Sequence, residues 1–228
     1  MSLNIVFMGT SEFSIPTLHT LIKKKFNVLE VYTQPPKKSK RGQKINPSPI
    51  EEFCMKNKIS FINPPNLNSE EEVKIFKKLS PDIVIVVSYG QIIPRSFLDI
   101  TKFGFINIHA SLLPKWRGAA PIQRAIMNGD KKIGVSIMKI KEKLDRGPVL
   151  ISKEIELDEN VTHGEMEKKL SLMGADLLID SLKNIEASTS KFIDQKHSEA
   201  TYAKKIDKSE TKINWNQDSI KYYHIFMV

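Results

Sequence analysis

The sequence predicts an α/β fold built on an open, doubly wound, mostly parallel sheet, and three observations predict it. Short β-rich runs alternate with stretches of helical periodicity through the first half of the chain, which places right-handed crossovers on the faces of one sheet. One run, Ile83-Val-Ile-Val-Val87, is apolar at every position, as a central strand covered on both faces must be. The runs also stop in turn-rich segments at residues 9–13, 88–94 and 107–118, at the strand ends where such sheets bind ligands.

The elements follow in order. Residues 4–8 read as a buried strand, and 15–24 as a helix with Pro16 in its first turn, where a missing N–H is harmless. A second strand covers 28–33. Helices are expected at 50–58 and 69–79, the latter opened by Ser69 with Glu70, Glu71 and Glu72 in its first turn. A short strand fits between them at 59–62. Further strands fall at 83–88 and 104–109, and a helix at 122–127. After Lys132 the pattern changes to two strands, 133–139 and 148–155, around a loop at 141–147. A helix over 162–184 carries a capping box in Thr162 and Glu165. A polar connector begins at 187–190, and 204–214 is charged and poorly periodic. Residues 225–228 are an apolar ending in mid-pattern, so a further domain is expected beyond them. The division is a domain over 1–186, a linker over 187–205, and the start of a truncated second domain over 206–228.

With 228 residues, 40% hydrophobic and 27% charged, the chain can bury one good core. Its apolar runs are too short to span a bilayer, and its first residues lack the basic n-region and cleavage site of a signal peptide. A single cysteine, Cys54, excludes an internal disulfide and fits a reducing cytoplasm; its neighbours favour a small helix residue over a nucleophile. The net charge of +9 favours a polyanionic partner, although the lysines are scattered. His19, His163, His197 and His224 show no paired ligand spacing, so no metal is expected. Gly9 stands alone after the first strand. Without a G-x-G-x-x-G run, a nicotinamide cofactor is not expected.

The chemistry concentrates in Phe105-Ile-Asn-Ile-His-Ala-Ser-Leu-Leu-Pro-Lys-Trp-Arg-Gly-Ala-Ala-Pro-Ile-Gln-Arg124. Alternate side chains of a strand share a face, so Asn107 and His109 point together into one pocket. An amide that can hold a carbonyl oxygen and an imidazole that can move a proton suit acyl transfer. Asp145, in Leu144-Asp-Arg-Gly-Pro148, could fold back to orient the imidazole; taken alone, it reads as a turn-forming aspartate before glycine. Residues 36–44 form a basic, glycine-containing loop, suited to phosphates or simply solvated.

These blocks, with Phe7-Met-Gly-Thr10, Thr33-Gln-Pro35, Arg41-Gly42, Pro47-Ser-Pro49 and Val87-Ser-Tyr-Gly-Gln-Ile-Ile-Pro94, resemble in collinear order the methionyl-tRNA formyltransferase family of folate-dependent formyltransferases. The run Trp116-Arg-Gly-Ala-Ala-Pro-Ile-Gln123 is the more specific part, resembling the tRNA enzymes more than those acting on amino sugars. The resemblance implies a Rossmann-like catalytic domain followed by a C-terminal β-barrel, begun here around Ile213-Asn-Trp215. It implies formyl transfer from 10-formyltetrahydrofolate to initiator methionyl-tRNA, with Asn107, His109 and Asp145 as the catalytic group. Ser111, Leu112, Leu113 and Pro114 would contribute to the folate site, and Ser88, Tyr89, Gly90, Gln91, Ile92 and Ile93 would line the pterin pocket. Lys37, Lys38, Lys40, Arg41 and Lys44 would contact tRNA. A monomer is expected. Arg146 departs from the family's usual threonine. The competing readings are a sugar-nucleotide N-formyltransferase, a hydrolase releasing formate from the same folate, and an inactive RNA-binding relative.

Overall fold

A computed structural model describes residues 3–39, 44–212 and 219–228. The chain runs β1 (Asn4–Gly9), α1 (Ile15–Lys23), β2 (Asn27–Tyr32), β3 (Lys37–Ser39), β4 (Lys44–Asn46), α2 (Pro49–Asn57), β5 (Phe61–Ile62), α3 (Glu70–Leu79), β6 (Ile83–Val87), α4 (Arg95–Leu98), β7 (Phe105–His109), β8 (Arg117–Gly118), α5 (Pro121–Met127), β9 (Lys132–Lys139), β10 (Val149–Glu156), α6 (His163–Glu186), β11 (Tyr202–Ala203) and α7 (Ser219–Phe226). The main sheet has the order β10-β9-β7-β6-β1-β2-β5. It is parallel from β7 to β5, while β9 pairs antiparallel with both β7 and β10.

The strand order reverses between β1 and β6, and this puts the loops after those two strands side by side at the carboxyl edge. Thr10 Oγ1 donates to Tyr89 O across that gap at 2.7 Å. One sheet face packs Ile5, Phe7, Ile83, Ile85, Ile106 and Ile108 against the apolar sides of α1, α5 and α6. The opposite face packs Val6, Met8, Val84, Val86 and Phe105 beneath α3 and α4. Phe76 is central there, its ring centroid 4.5 Å from Phe97 and 5.9 Å from Phe105. Phe105, Asn107 and His109 lie on this second face by strand alternation.

Local chemistry explains the element ends. Ser48 accepts from Glu51 N–H, Ser69 from Glu72 N–H, and Thr162 with Glu165 forms the expected capping box. The strand at 59–62 shrinks to Phe61–Ile62, since Ile59 N–H is engaged by Cys54 O at the end of α2 and only Phe61 and Ile62 pair with β2. The basic stretch read as a loop contains a short antiparallel pair, with Lys37 opposite Asn46 and Lys38 opposite Ile45. Alternation there is too brief and too polar to register as a strand signal.

The segment read as a linker lies against the body of the domain. Tyr202 and Ala203 form a parallel two-stranded sheet with Arg117 and Gly118. Helix α7 closes back as well: His163 N–H donates to Met227 O at 2.7 Å, and Tyr223 Oη to Asn160 Oδ1 at 2.5 Å. Residues 213–215 lie outside the described residues.

Candidate active site

Strand β7 ends where the sheet's polar chemistry begins. Asn107 is half-buried, and its carboxamide makes no hydrogen bond among the described residues. A half-buried amide left unpaired is available to a ligand. Two residues on, His109 is 6% exposed. Its Nε2 lies 2.9 Å from Trp116 O, and a carbonyl only accepts, so Nε2 carries the proton. That leaves Nδ1 facing Asp145 Oδ2 at 3.8 Å.

Asp145 reaches this position from the loop after β9 with a left-handed backbone, φ +49°, a conformation aspartate tolerates better than most residues. Its Oδ2 accepts from Gly118 N–H at 2.8 Å, and Oδ1 remains uncommitted. Two glycines are required here. Gly118 sits at φ +121°, and a Cβ would meet Ala203 O at 2.7 Å; at Gly147 a Cβ would collide with Lys139 O at 1.7 Å. The structure thus brings together Asn107 and His109 by strand alternation, and Asp145 by a fold-back over their strand end.

The turn after β7 is braced internally. Ser111, fully buried, donates through Oγ to Lys115 O, and its own carbonyl accepts from Ser136 Oγ at 2.7 Å. Ser136 also accepts from Leu113 N–H, and the Leu113–Pro114 peptide is cis. Leu112, Leu113 and Pro114 are half-buried on this turn.

The loop after β6 lies alongside. Tyr89 turns its ring into the core, where burial pushes its phenol above the usual range. Ser88 and Gly90 are exposed with positive φ, and Gln91 donates to Pro64 O. Ile93 packs partly on the core, and Ile92 stands 91% exposed at the rim. A cleft of about 530 Å³ opens on the Phe105 side of the sheet, lined by Leu98, Phe105, Lys139, Ile140, Lys143 and Arg146. Burial and the neighbouring Lys141 lower the Lys139 ammonium.

A second cavity of about 410 Å³ lies over the carboxyl ends of β1 and β2, lined by Thr10, Gln34, Lys37 and Ser48 among others. The basic hairpin forms its lip. Lys37 Nζ donates to Gln34 Oε1, whereas Lys38 and Lys44 are exposed. Lys40 and Arg41 lie outside the described residues. Among the described residues no three His, Cys, Asp or Glu side chains group as a metal site, and no helix is long and apolar enough to cross a membrane.

A formyl transferase family model matches residues 3–182. The chain is 50% identical over 220 residues to the methionyl-tRNA formyltransferase of Pelagibacter ubique, covering 96% of this chain and 71% of that one. It is 43% identical over 217 residues to the methionyl-tRNA formyltransferase of Acetivibrio thermocellus, covering 95% and 70%. The chain belongs to the methionyl-tRNA formyltransferases. Among solved structures, an N-formyltransferase from Helicobacter canadensis in complex with folinic acid and dTDP-3-aminofucose superposes with TM-score 0.75 at 19% identity, over 99% of this chain and 80% of that one. HypX from Aquifex aeolicus in complex with tetrahydrofolic acid gives 0.73 at 16% identity, over 99% and 34%. These two share the fold.

Asn107, His109 and Asp145 all fall inside the formyl transferase span, whereas the strand Tyr202–Ala203 beside them lies beyond it. Sequence reasoning passed over two residues that lie against this group. Arg117, noticed only as part of a run, is completely buried and donates to Gln195 and His197. Gln195 stands in a polar stretch with no local pattern to mark it.

Proposed function

We infer that the protein transfers a formyl group from 10-formyltetrahydrofolate to the amino group of initiator methionyl-tRNA, supporting translation initiation, and that Asn107, His109 and Asp145 do the chemistry. The observation that carries the site reading is the convergence of those three side chains, with His109 Nδ1 3.8 Å from Asp145 Oδ2 and the Asn107 carboxamide left free on the same face.

The folate supplies the electrophilic formyl carbon. The unpaired Asn107 carboxamide and the exposed Ser88 and Gly90 fit such a ligand, because they offer polar groups at the ends of neighbouring strands β7 and β6. As the amine attacks, negative charge grows on the formyl oxygen, and the Asn107 N–H groups can donate to it. His109, locked by its bond to Trp116 O, presents Nδ1 to the same space and adds positive charge there when protonated. Asp145 is fixed through Oδ2, which leaves Oδ1 to accept, through water, the proton the amine loses. Collapse of the tetrahedral adduct then breaks the formyl carbon–N10 bond, and tetrahydrofolate leaves with that proton on N10. Leu112, Leu113 and Pro114 wall the folate side. Lys37, Lys38 and Lys44, with Lys40 and Arg41, meet acceptor-stem phosphates. The protein acts as a monomer in the cytoplasm. The buried, unpaired Cys54 fits a reducing compartment. The body over 1–186 carries the chemistry, and 206–228 leads toward a further tRNA-binding domain.

The test follows formyl transfer from 10-formyltetrahydrofolate to charged initiator methionyl-tRNA, with uncharged tRNA and no acceptor as controls. Transfer that disappears in His109→Ala and Asp145→Ala is expected. Formate release without tRNA would overturn the acceptor, and full activity in either variant would overturn the catalytic group.

A further inference from the structure

We propose that Gln195, held by the buried Arg117, is a positioning residue that sets the catalytic geometry of Asp145. The proposal rests on the functional reading above but concerns residues that reading does not use.

Arg117 has no exposed surface. A buried guanidinium is costly unless its donors are occupied. Nε and Nη2 both donate to Gln195 Oε1, at 3.0 and 2.6 Å, and Nη2 to His197 Nδ1 at 2.9 Å, while Nη1 is buried without a hydrogen-bond partner among the described residues. Because a guanidinium only donates, Gln195 must turn its oxygen toward Arg117. Its amide nitrogen therefore faces the other way, and Nε2 donates to Asp145 O at 2.9 Å and to Gly147 O at 2.7 Å. Both amide hydrogens are spent on the carbonyls flanking Arg146.

These two bonds clamp the backbone of the loop at the residue whose φ is +49°. With the main chain fixed, the Asp145 side chain falls on Gly118 N–H and beside His109. The neighbouring peptide of the same short strand is tied separately: Ala119 and Ala120 N–H groups donate to Ala203 O at 2.9 and 3.2 Å. The segment at 195–203 thus makes attachments of two kinds that matter here. One docks it by backbone pairing, and the other aims the catalytic carboxylate through a single side chain.

Gln195→Glu separates the two. It preserves the acceptor for Arg117 and strengthens that contact by charge, but it cannot donate to Asp145 O or Gly147 O. Amide hydrogen exchange by NMR on the full chain reads the result without any assay of turnover. Gly118 N–H, protected by Asp145, is expected to exchange at least tenfold faster, while Ala119 and Ala120 keep their rates. In the formylation assay kcat is expected to fall about tenfold to a hundredfold, the size of effect a misplacement near 1 Å produces, with KM for folate and tRNA within twofold. Gln195→Met, which removes both contacts at similar volume, is expected to speed Gly118 exchange likewise and guards against a fold lost to the new charge.

Unchanged Gly118 exchange would overturn the proposal. So would equal acceleration at Gly118, Ala119 and Ala120, which would make Gln195 a docking residue only. A wild-type chain that formylates no tRNA would instead overturn the functional reading, and the exchange data would still decide the role of Gln195.

Discussion

Two loops flank the strand ends at the carboxyl edge, and they are built in opposite ways. The loop bearing Asp145 is held by Gln195 through two carbonyls, by Gly118 through the carboxylate, and by Lys139 N–H, which donates to Pro148 O at 2.9 Å. Among the described residues, the basic hairpin β3–β4 pairs Lys37, Lys38 and Ser39 with Asn46, Ile45 and Lys44, and Lys37 also contacts Gln34. Acyl transfer needs groups fixed to fractions of an ångström, whereas capture of a phosphate backbone needs mainly charge of the right sign. If the Asp145 loop serves the chemistry and the basic hairpin serves tRNA capture, as proposed above, substitutions in the two should divide accordingly.

The largest expected effect comes from emptying the rigid side. His109→Ala or Asp145→Ala should lower kcat by about 10² to 10⁴ in steady-state formylation, with KM for both substrates changed far less. A shape change beside the same loop should register as lost stability. Gly118→Ala places a Cβ 2.7 Å from Ala203 O at φ +121°, and chemical denaturation should show a loss of about 1–3 kcal/mol.

The arm predicts the converse pattern. Replacing Lys37, Lys38 and Lys44 together by alanine should raise KM for tRNA and leave kcat and folate affinity nearly unchanged. The slope of log affinity against log salt should become shallower by about 2 to 3. An unchanged slope would detach the arm from tRNA and erase the contrast between the loops.

A smaller effect concerns the segment after β11, where Arg124 donates to Glu210 at 2.6 and 2.9 Å. Arg124 holds the Glu210 carboxyl down to about 2, against an ordinary value of 4.5. A depressed carboxyl stabilises the folded state above its unfolded value, and that contribution is lost as pH falls from about 4.5 toward 2. A carbon-detected NMR titration of Glu210 should find its midpoint at that low pH, and Arg124→Lys should raise it. Smallest of all, burial and the nearby Glu30 and Glu51 push the Cys54 thiol up to about 12. At pH 8 it should react with a thiol reagent only slowly in the native chain and promptly after unfolding.

The Cys54 setting shows how far local pattern reaches, since a lone apolar-flanked cysteine on a helix reads as core from sequence and is core in the structure. The same holds for β6, whose five apolar residues are all buried, and for the Thr162–Glu165 cap. The basic stretch was legible as charge but not as a hairpin, because three polar pairs give no periodic signal.

The sequence by itself determined the alternation of strands and helices, the central apolar strand, and the shared face of Asn107 and His109, because each depends on residues two to four positions apart. It also supplied the collinear motifs of the family. Only the tertiary structure decided that Asp145 meets His109, that the stretch after α6 folds back as a strand beside Arg117, and that Gln195 joins that arginine to the loop bearing Asp145. Those contacts span 36, 85 and 78 residues, and hydrogen-bonding capacity over such separations leaves no periodicity in the chain to read.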